Sequence, residues 1–253
     1  MNDMKIKASD FSVMSYNIYY NNTEKSRVIS LIKNYSPDTL SVQEATPEWM
    51  RELVLKENLG GTYSCVGVGR NGNGKGEYCA IFYKTDLFSL IDEGTVWLSD
   101  TPTVISKFPI SDHNRIMTYA ALEHKNTGER FIQCNVHPEY KPIKEKQLEI
   151  FLERVELLKN EFLLPIVLTG DFNTRRSEKI YERIIQNGFN DSFATAKESD
   201  NKPTFISEGI VIDYIFGEKN TVEFSEYRVI DDKVDGKYPS DHCPVFARFK
   251  FKN

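Results

Sequence analysis

Short runs in which apolar residues alternate with polar ones, or continue unbroken for four to eight positions, recur along the whole chain. They fall at residues 11–18, 39–42, 78–83, 117–122, 131–136, 166–169, 210–216 and 245–251, and are rich in Val, Ile, Phe and Tyr. A period of two with β-branched and aromatic residues suits a pleated surface, so each run predicts a strand. A different period appears at Leu148, Phe151, Leu152, Val155, Leu158 and Phe162, with Glu145, Lys146, Glu149, Glu153 and Lys159 between them. That spacing puts an apolar stripe on one face of a helix over residues 143–162. Further helices are predicted over 24–34, stopped by Ser36-Pro37, and over 47–57, where Thr46 can cap and Pro47 suits the first position. A fourth runs over 177–186 and ends at Asn187-Gly188.

Strands outnumber helices and several follow one another directly, which argues against a strictly alternating parallel sheet. The pattern predicts two mostly antiparallel sheets packed face to face with helices outside. No fixed-period repeat or long linker divides the chain, so residues 1–253 are expected to form one domain, with 1–10 a poorly ordered N-terminal segment.

Composition narrows the function classes. No apolar run approaches the ~20 residues of a membrane-spanning helix, so no stable membrane insertion is expected. Met1 to Asp10 lacks the form of an export signal, which as written predicts a cytoplasmic protein, with export left open if a signal has been removed. Cys65, Cys79, Cys134 and Cys243 lie far apart without metal-finger spacing and read as buried free thiols. A net charge of -5 is unlike the basic footprint of a protein that binds nucleic acid mainly through phosphate neutralisation. No obligate protein partner is implied.

Chemistry collects where apolar runs end. Asn17 follows Val13-Met14-Ser15-Tyr16 at the end of a predicted strand; Glu44, His137, and Asp171 with Asn173 each follow another; Asp213 interrupts one; Asp241-His242 precede the last. Taken singly, Asp and Asn after a strand are turn formers and a lone His is a structural residue. Asp213 is harder to dismiss, because a carboxylate flanked by Ile212 and Tyr214 needs a cation or hydrogen bonds to offset its desolvation. Phosphoester hydrolysis explains the set. Glu44, with an amide or a further carboxylate, would hold a hard divalent ion such as Mg²⁺ against a phosphate. Asp171 is a candidate base for water with Asn173 fixing its geometry, the histidines donate to phosphoryl oxygens, and Asp213 or Asp241 holds His242 in one tautomer and favours its cation.

The segments Ser15-Tyr16-Asn17, Val42-Gln43-Glu44, Asn135-Val136-His137, Thr169-Gly170-Asp171-Phe172-Asn173, Ile212-Asp213-Tyr214-Ile215 and Ser240-Asp241-His242-Cys243-Pro244-Val245 resemble, in order, the motifs of the endonuclease/exonuclease/phosphatase superfamily. Each is weak and the ordered set is highly specific. The resemblance implies a four-layered α/β/β/α sandwich with one or two Mg²⁺ or Mn²⁺ ions at one end. It puts Glu44 on the metal with Asn17 on or beside it. It makes Asp171 and Asn173 the base and orienting pair, His137 and His242 phosphate contacts, and Asp213 and Asp241 supports for the second histidine and the metal. The segments 66–70, 76–83 and 236–242 are similar to a bacterial branch of unassigned substrate. Many members of that branch read Thr-His-Leu-Asp-His at the fifth strand, where this chain has Val136-His137-Pro138-Glu139-Tyr140.

Other signals carry less. Gly67, Gly69 and Gly72 match G-x-G-x-x-G, but a strand follows instead of a helix, so dinucleotide binding is rejected and 67–76 reads as a strand-connecting loop, or a cover for the site offering Arg70 and Lys75. Ser240-Asp241-His242 lacks a nucleophile elbow, which excludes a serine hydrolase. Arg115 is either a substrate contact at the site's edge or a surface or sheet-packing residue, while Trp49 and Trp97 read as core or rim packing. The expected function is a divalent-metal-dependent hydrolase in which water attacks a phosphodiester or phosphomonoester in line. The alternatives are a nuclease acting on DNA or RNA, and a non-catalytic phosphate-recognition module, which should have lost a metal or base residue.

Overall fold

The computed structural model describes residues 10–252, so the expectation for 1–10 lies, apart from Asp10, outside the described residues. In chain order the elements are β1 (Phe11–Asn17), α1 (Lys25–Tyr35), β2 (Thr39–Ala45), α2 (Pro47–Leu53), a π-helical turn (Lys56–Gly60), β3 (Tyr63–Val66), β4 (Tyr78–Lys84), β5 (Phe88–Trp97), β6 (Ile116–His124), β7 (Arg130–Val136), α3 (Lys144–Phe162), β8 (Ile166–Asp171), α4 (Lys179–Gln186), β9 (Phe189–Asp191), α5 (Ser192–Thr195), β10 (Glu198–Ser199), β11 (Asp213–Glu218), β12 (Val222–Val229) and β13 (Val245–Phe251). They form a seven-stranded sheet of order β10-β12-β13-β1-β2-β4-β3 and a six-stranded sheet of order β5-β6-β7-β8-β11-β9. Most neighbours are antiparallel; β1/β2, β7/β8 and β10/β12 are parallel.

Strand parity builds the four layers. Met14, Tyr16, Leu40, Val42, Ala80 and Phe82 face outward against Val28 and Ile32 of α1 and Trp49 of α2. Ile132, Cys134, Ile166, Leu168, Tyr214 and Phe216 do the same on the other sheet, under Leu148, Phe151 and Val155 of α3 and Ile180 and Ile184 of α4. The opposite parity, with Phe11, Val13, Phe131, Val167, Ile215 and Phe249, fills the space between the sheets.

Along β1, β2, β7 and β8 this inner face changes character from one end to the other. The apolar residues give way to a buried polar layer, where Gln43 Nε2 donates to Ser15 Oγ (3.1 Å) and to Asn135 Oδ1 (2.7 Å), Gln133 Nε2 donates to Ser41 Oγ (2.8 Å), and Ser41 Oγ and Thr169 Oγ1 share a bond of 2.7 Å. The last three of these bonds join the two sheets and fix their relative position directly beneath the strand ends that carry Asn17, His137 and Asp171.

The helix over 47–57 is shorter than expected. Thr46 Oγ1 accepts from Trp49 N (3.2 Å) and Pro47 opens α2 as anticipated, but the α-helix ends at Leu53. At Gly60 a Cβ would lie 2.1 Å from Val54 O, so the chain closes there in a π-helical turn. The helix expected over 177–186 starts at Lys179, and the strand over 210–216 starts at Asp213 because Ile210 pairs with Phe205 in a hairpin. Strands β3, β5, β9, β10 and β12 were not anticipated. β5 is an edge strand whose middle is largely exposed, and the alternation of β12 changes phase at a bulge between Phe224 and Glu226.

Gly170 delivers Asp171 to the site. Its φ is +154°, and a Cβ there would lie 2.2 Å from Val136 O of the neighbouring strand. Gly170→Ala is therefore expected to destabilise the fold by about 2 kcal/mol. The check is a lower urea midpoint with an unchanged m value.

Candidate active site

Parallel pairing places the C-terminal ends of β1 and β2, and of β7 and β8, at one end of the sandwich. Asp213, at the start of the antiparallel β11, registers opposite Asp171. Asn17, His137, Asp171 and Asp213 all continue the inner-face parity of their strands.

Glu44 does not. By alternation Gln43 faces inward and Glu44 outward, yet β2 bulges against β4 between Val42 and Ala45, and Glu44 has φ +61°. The extra residue turns its carboxylate to the cleft. A left-handed backbone costs a non-glycine residue roughly 1–2 kcal/mol, strain of a kind that concentrates at functional sites.

The cleft at this end has a volume of about 830 Å³, and Glu44, His137, Asp171, Asn173, Asp241 and His242 all line it. Asn17 and Asp213, each 1% exposed, lie beneath its floor. Asn17 ties the carboxylates together: its Nδ2 donates to Glu44 Oε1 (3.1 Å) and to Asp171 Oδ2 (3.0 Å), while its Oδ1 accepts from Tyr19 N (3.1 Å). Glu44 Oε2 accepts from Tyr20 N (2.9 Å). Asn173, with φ +50°, donates its backbone N–H to Asp171 Oδ1 (2.9 Å), whereas its side-chain amide donates to Pro138 O (3.1 Å). The local turn and the site are thus one feature, since the Asx-type bond that forms the turn also aims the Asp171 carboxylate.

The two histidines face the same oxygen from different backgrounds. His137 Nε2 lies 3.5 Å and His242 Nε2 3.8 Å from Asp171 Oδ2. Burial, reinforced by Arg115 and His242, holds the His137 pKa well below the ordinary histidine value. Burial alone would lower His242 too, but Asp213 Oδ2 at 2.9 Å from its Nδ1, with Asp171 and Asp241 nearby, outweighs this and raises its pKa to about 10. His242 is therefore cationic at neutral pH and His137 is neutral. Burial, with Asp213 alongside, raises the pKa of Asp171, the direction that suits a base working near neutrality. Burial and the nearby Glu44 also raise that of Asp241.

Asp171, Asp213 and His242 each bring a ligand atom to within 4.8 Å of the others, a group that could hold a metal ion. Glu44 and Asp241, both lining the cleft, are a second source of hard oxygen ligands, and among the described residues neither pairs with a lysine or arginine.

Several lining residues carried no clear signal in the sequence. Lys144, the first residue of α3, donates to Asn173 O (2.6 Å) and pairs with Glu178 (2.7 Å). Phe205 lays its ring on His242, with centroids 4.8 Å apart. The glycine-rich loop 67–76 brings Arg70 to the wall, where it pairs with Glu77 (2.8 Å) and its carbonyl accepts from Trp97 Nε1 (2.8 Å). Arg115 is 8% exposed, lines the cleft and lies 3.3 Å from His137 Nδ1 through its Nη1. Glu139 is fully buried, while Tyr140 stands exposed at the rim. Trp49 and Trp97 are core residues, and the cysteines are free, with Cys65 only partly buried.

A family profile described as "Endonuclease/Exonuclease/phosphatase family" matches residues 14–242. Among solved structures, an endonuclease/exonuclease/phosphatase family protein from Bacteroides thetaiotaomicron is similar, with a TM-score of 0.87, 28% identity, and coverage of 97% of this chain and 99% of that one. A mannosyl-6-phosphatase of Bacteroides thetaiotaomicron VPI-5482 has a TM-score of 0.86, 29% identity, and coverage of 94% and 99%. Among curated proteins, the "Probable CCR4-Not complex 3'-5'-exoribonuclease subunit Ccr4" of Enterocytozoon bieneusi is 30% identical over 68% of this chain and 45% of its own length. The chain spans about a third to a half of the length of the first curated relatives it matches.

Proposed function

We propose, because the chain belongs to the endonuclease/exonuclease/phosphatase family, that it is a divalent-metal-dependent hydrolase of small, polar phosphate monoesters, of the sugar-phosphate class. The observation that carries the substrate class is the pairing of charge along the cleft. Each of its lysines and arginines is matched by a carboxylate: Arg70 with Glu77 (2.8 Å), Arg115 with Glu139 (3.2 Å), Lys144 with Glu178 (2.7 Å) and Arg175 with Glu208 (3.3 Å). A polynucleotide needs a run of cations to replace the counterions on its phosphates, and this cleft leaves none unpaired among the described residues. Paired donors and acceptors, with Tyr19, Tyr20 and Tyr140 at the rim, suit hydroxyl groups instead. The mannosyl-6-phosphatase likeness supports the same class.

The residues fit a hard divalent ion. Glu44 and Asp241 supply carboxylate oxygens, Glu44 is held in a strained backbone that turns it to the cleft, and Asn17 stands beside it as a tether. Asp171, Asp213 and His242 are better matched to proton work, because Asp213 Oδ2 is already engaged by a cationic ring. A bound Mg²⁺ or Mn²⁺ would neutralise charge on the phosphoryl group and its leaving oxygen.

The chain's own side chains supply the rest. Asp171, held by Asn17 and by the Asn173 N–H, accepts a proton from the attacking water. His242, kept cationic by Asp213, and His137 donate to phosphoryl oxygens on which negative charge grows. Lys144 secures the Asn173 turn through its carbonyl.

The Ccr4 likeness raises a second reading, an exoribonuclease. The two separate in one experiment: kcat/KM with Mg²⁺ for a hexose 6-phosphate, a diester and an oligoribonucleotide, each at low and high salt. The monoester is expected to be preferred by about 100-fold or more, with little salt dependence. A preferred oligoribonucleotide whose kcat/KM falls steeply with salt would establish the nuclease instead.

A further inference from the structure

We propose that Arg115, braced by the buried Glu139, is a positioning residue that sets His137 in its neutral, Nε2-protonated tautomer, so that this ring offers the cleft a donor without a charge. The assignment deepens the reading in which His137 faces the phosphoryl group, and it rests on which atoms can donate. Arg115 Nη1 lies 3.3 Å from His137 Nδ1. A guanidinium has five donors and no acceptor, so the only bond available runs from Nη1–H to a lone pair on Nδ1. The ring proton must then sit on Nε2, the nitrogen that faces Asp171 Oδ2 at 3.5 Å. An imidazolium would turn an N–H against the guanidinium and place two like charges in a buried corner.

Glu139 keeps Arg115 in this pose. Its Oε2 accepts from Arg115 Nη2 (3.2 Å) and its Oε1 from His113 N (3.0 Å), so both oxygens are directed inward. Its own N–H donates to Gln147 Oε1 (2.8 Å) on α3, and Gln147 Nε2 donates to Ser111 Oγ (3.2 Å). Arg115 is thereby fixed from the segment before β6, the segment after β7 and α3 together. This gives a role to the position where the chain reads His137-Pro138-Glu139: the carboxylate works behind the histidine and does not meet substrate.

The consequence is a division of labour. His242 has a carboxylate at its Nδ1 and His137 a guanidinium, so one ring brings charge and the other direction only. Both Nε2 atoms lie within 4 Å of the same Asp171 oxygen, and two cationic rings there would repel each other and suppress the base.

The direct test is long-range ¹H–¹⁵N spectroscopy of ¹⁵N-histidine-labelled protein, chelator-treated, with His137 assigned by its absence in His137→Gln. The expected pattern is a bare Nδ1 and a protonated Nε2, unchanged from about pH 5.5 to 8. A protonated Nδ1, or an imidazolium in that range, would overturn the proposal whatever any variant does. Arg115→Met, paired with Glu139→Gln so that no buried charge is orphaned, should let His137 titrate and should lower kcat by at least ~10-fold with KM changed less than about twofold. Arg115→Lys should restore part of both. A raised KM with kcat and the ring pattern intact would make Arg115 a direct substrate contact, and lost stability with the ring pattern intact would make the pair structural; either result refutes the positioning role. A parent with the expected tautomer but no monoesterase activity would defeat the proposed function and leave the tautomer assignment standing.

Discussion

Glu44→Gln is expected to lower Mg²⁺-dependent turnover by ~100-fold or more while leaving the protein folded without metal. The substitution keeps the length of the side chain but only one acceptor oxygen, so it can accept from Tyr20 N (2.9 Å) or from Asn17 Nδ2 (3.1 Å) and gives up the other bond. What it removes is one negative charge beside Asp241, whose carboxyl burial and Glu44 together push up. An ion held by carboxylates is worth several kcal/mol at the transition state, and each 1.36 kcal/mol is tenfold in rate. Relief of carboxylate repulsion acts in the opposite direction on stability, the trade that a strained binding site makes. Initial rates at saturating Mg²⁺, with thermal midpoints in chelator, check both halves. A variant of full activity would remove Glu44 from the metal site, and a variant of low activity that is also unfolded would make the loss structural.

Asp213→Asn should cost roughly 10³-fold in kcat and should make the deficit pH-dependent. In the parent, Asp213 is the chief influence holding the His242 pKa up against burial, to about 10. The cation therefore persists through the neutral range and is lost only as pH rises past that value. Without the carboxylate, burial dominates and the pKa drops, so the ring discharges at lower pH. The ratio of parent to variant rates is accordingly smallest in acid and widens as pH rises. A ratio flat with pH would mean that the charge of His242 is not what Asp213 supplies.

Much of this arrangement was legible in the chain because the strands carry it. Asn17, His137 and Asp171 stand out as polar residues where apolar runs end and Asp213 as one inside such a run, and in the fold each continues the inward alternation of its strand past the apolar core. The layers themselves follow from the same two-residue period. Glu44 is different, since alternation points it away from the cleft and a one-residue bulge, which no periodicity announces, turns it back. Asn173 bonds Asp171 through its backbone N–H, while its side-chain amide is turned to Pro138 O. Lys144, Phe205 and the pairs Arg115–Glu139, Lys144–Glu178 and Arg175–Glu208 were not readable, because they depend on loops and helix ends brought together over long sequence separations. Glu139 and Tyr140 appeared only as departures from a motif; Arg115 and Gln147 hold Glu139 fully buried, while Tyr140 stands exposed at the rim.

The proposed metal-dependent activity is put to the test by phosphate release from a hexose 6-phosphate, measured with Mg²⁺, with chelator, and with Glu44→Gln in Mg²⁺. It predicts rapid release in the first case and near-complete loss in the other two, with an oligoribonucleotide turned over far more slowly throughout. Release that persists in chelator, or that Glu44→Gln leaves unchanged, would contradict it.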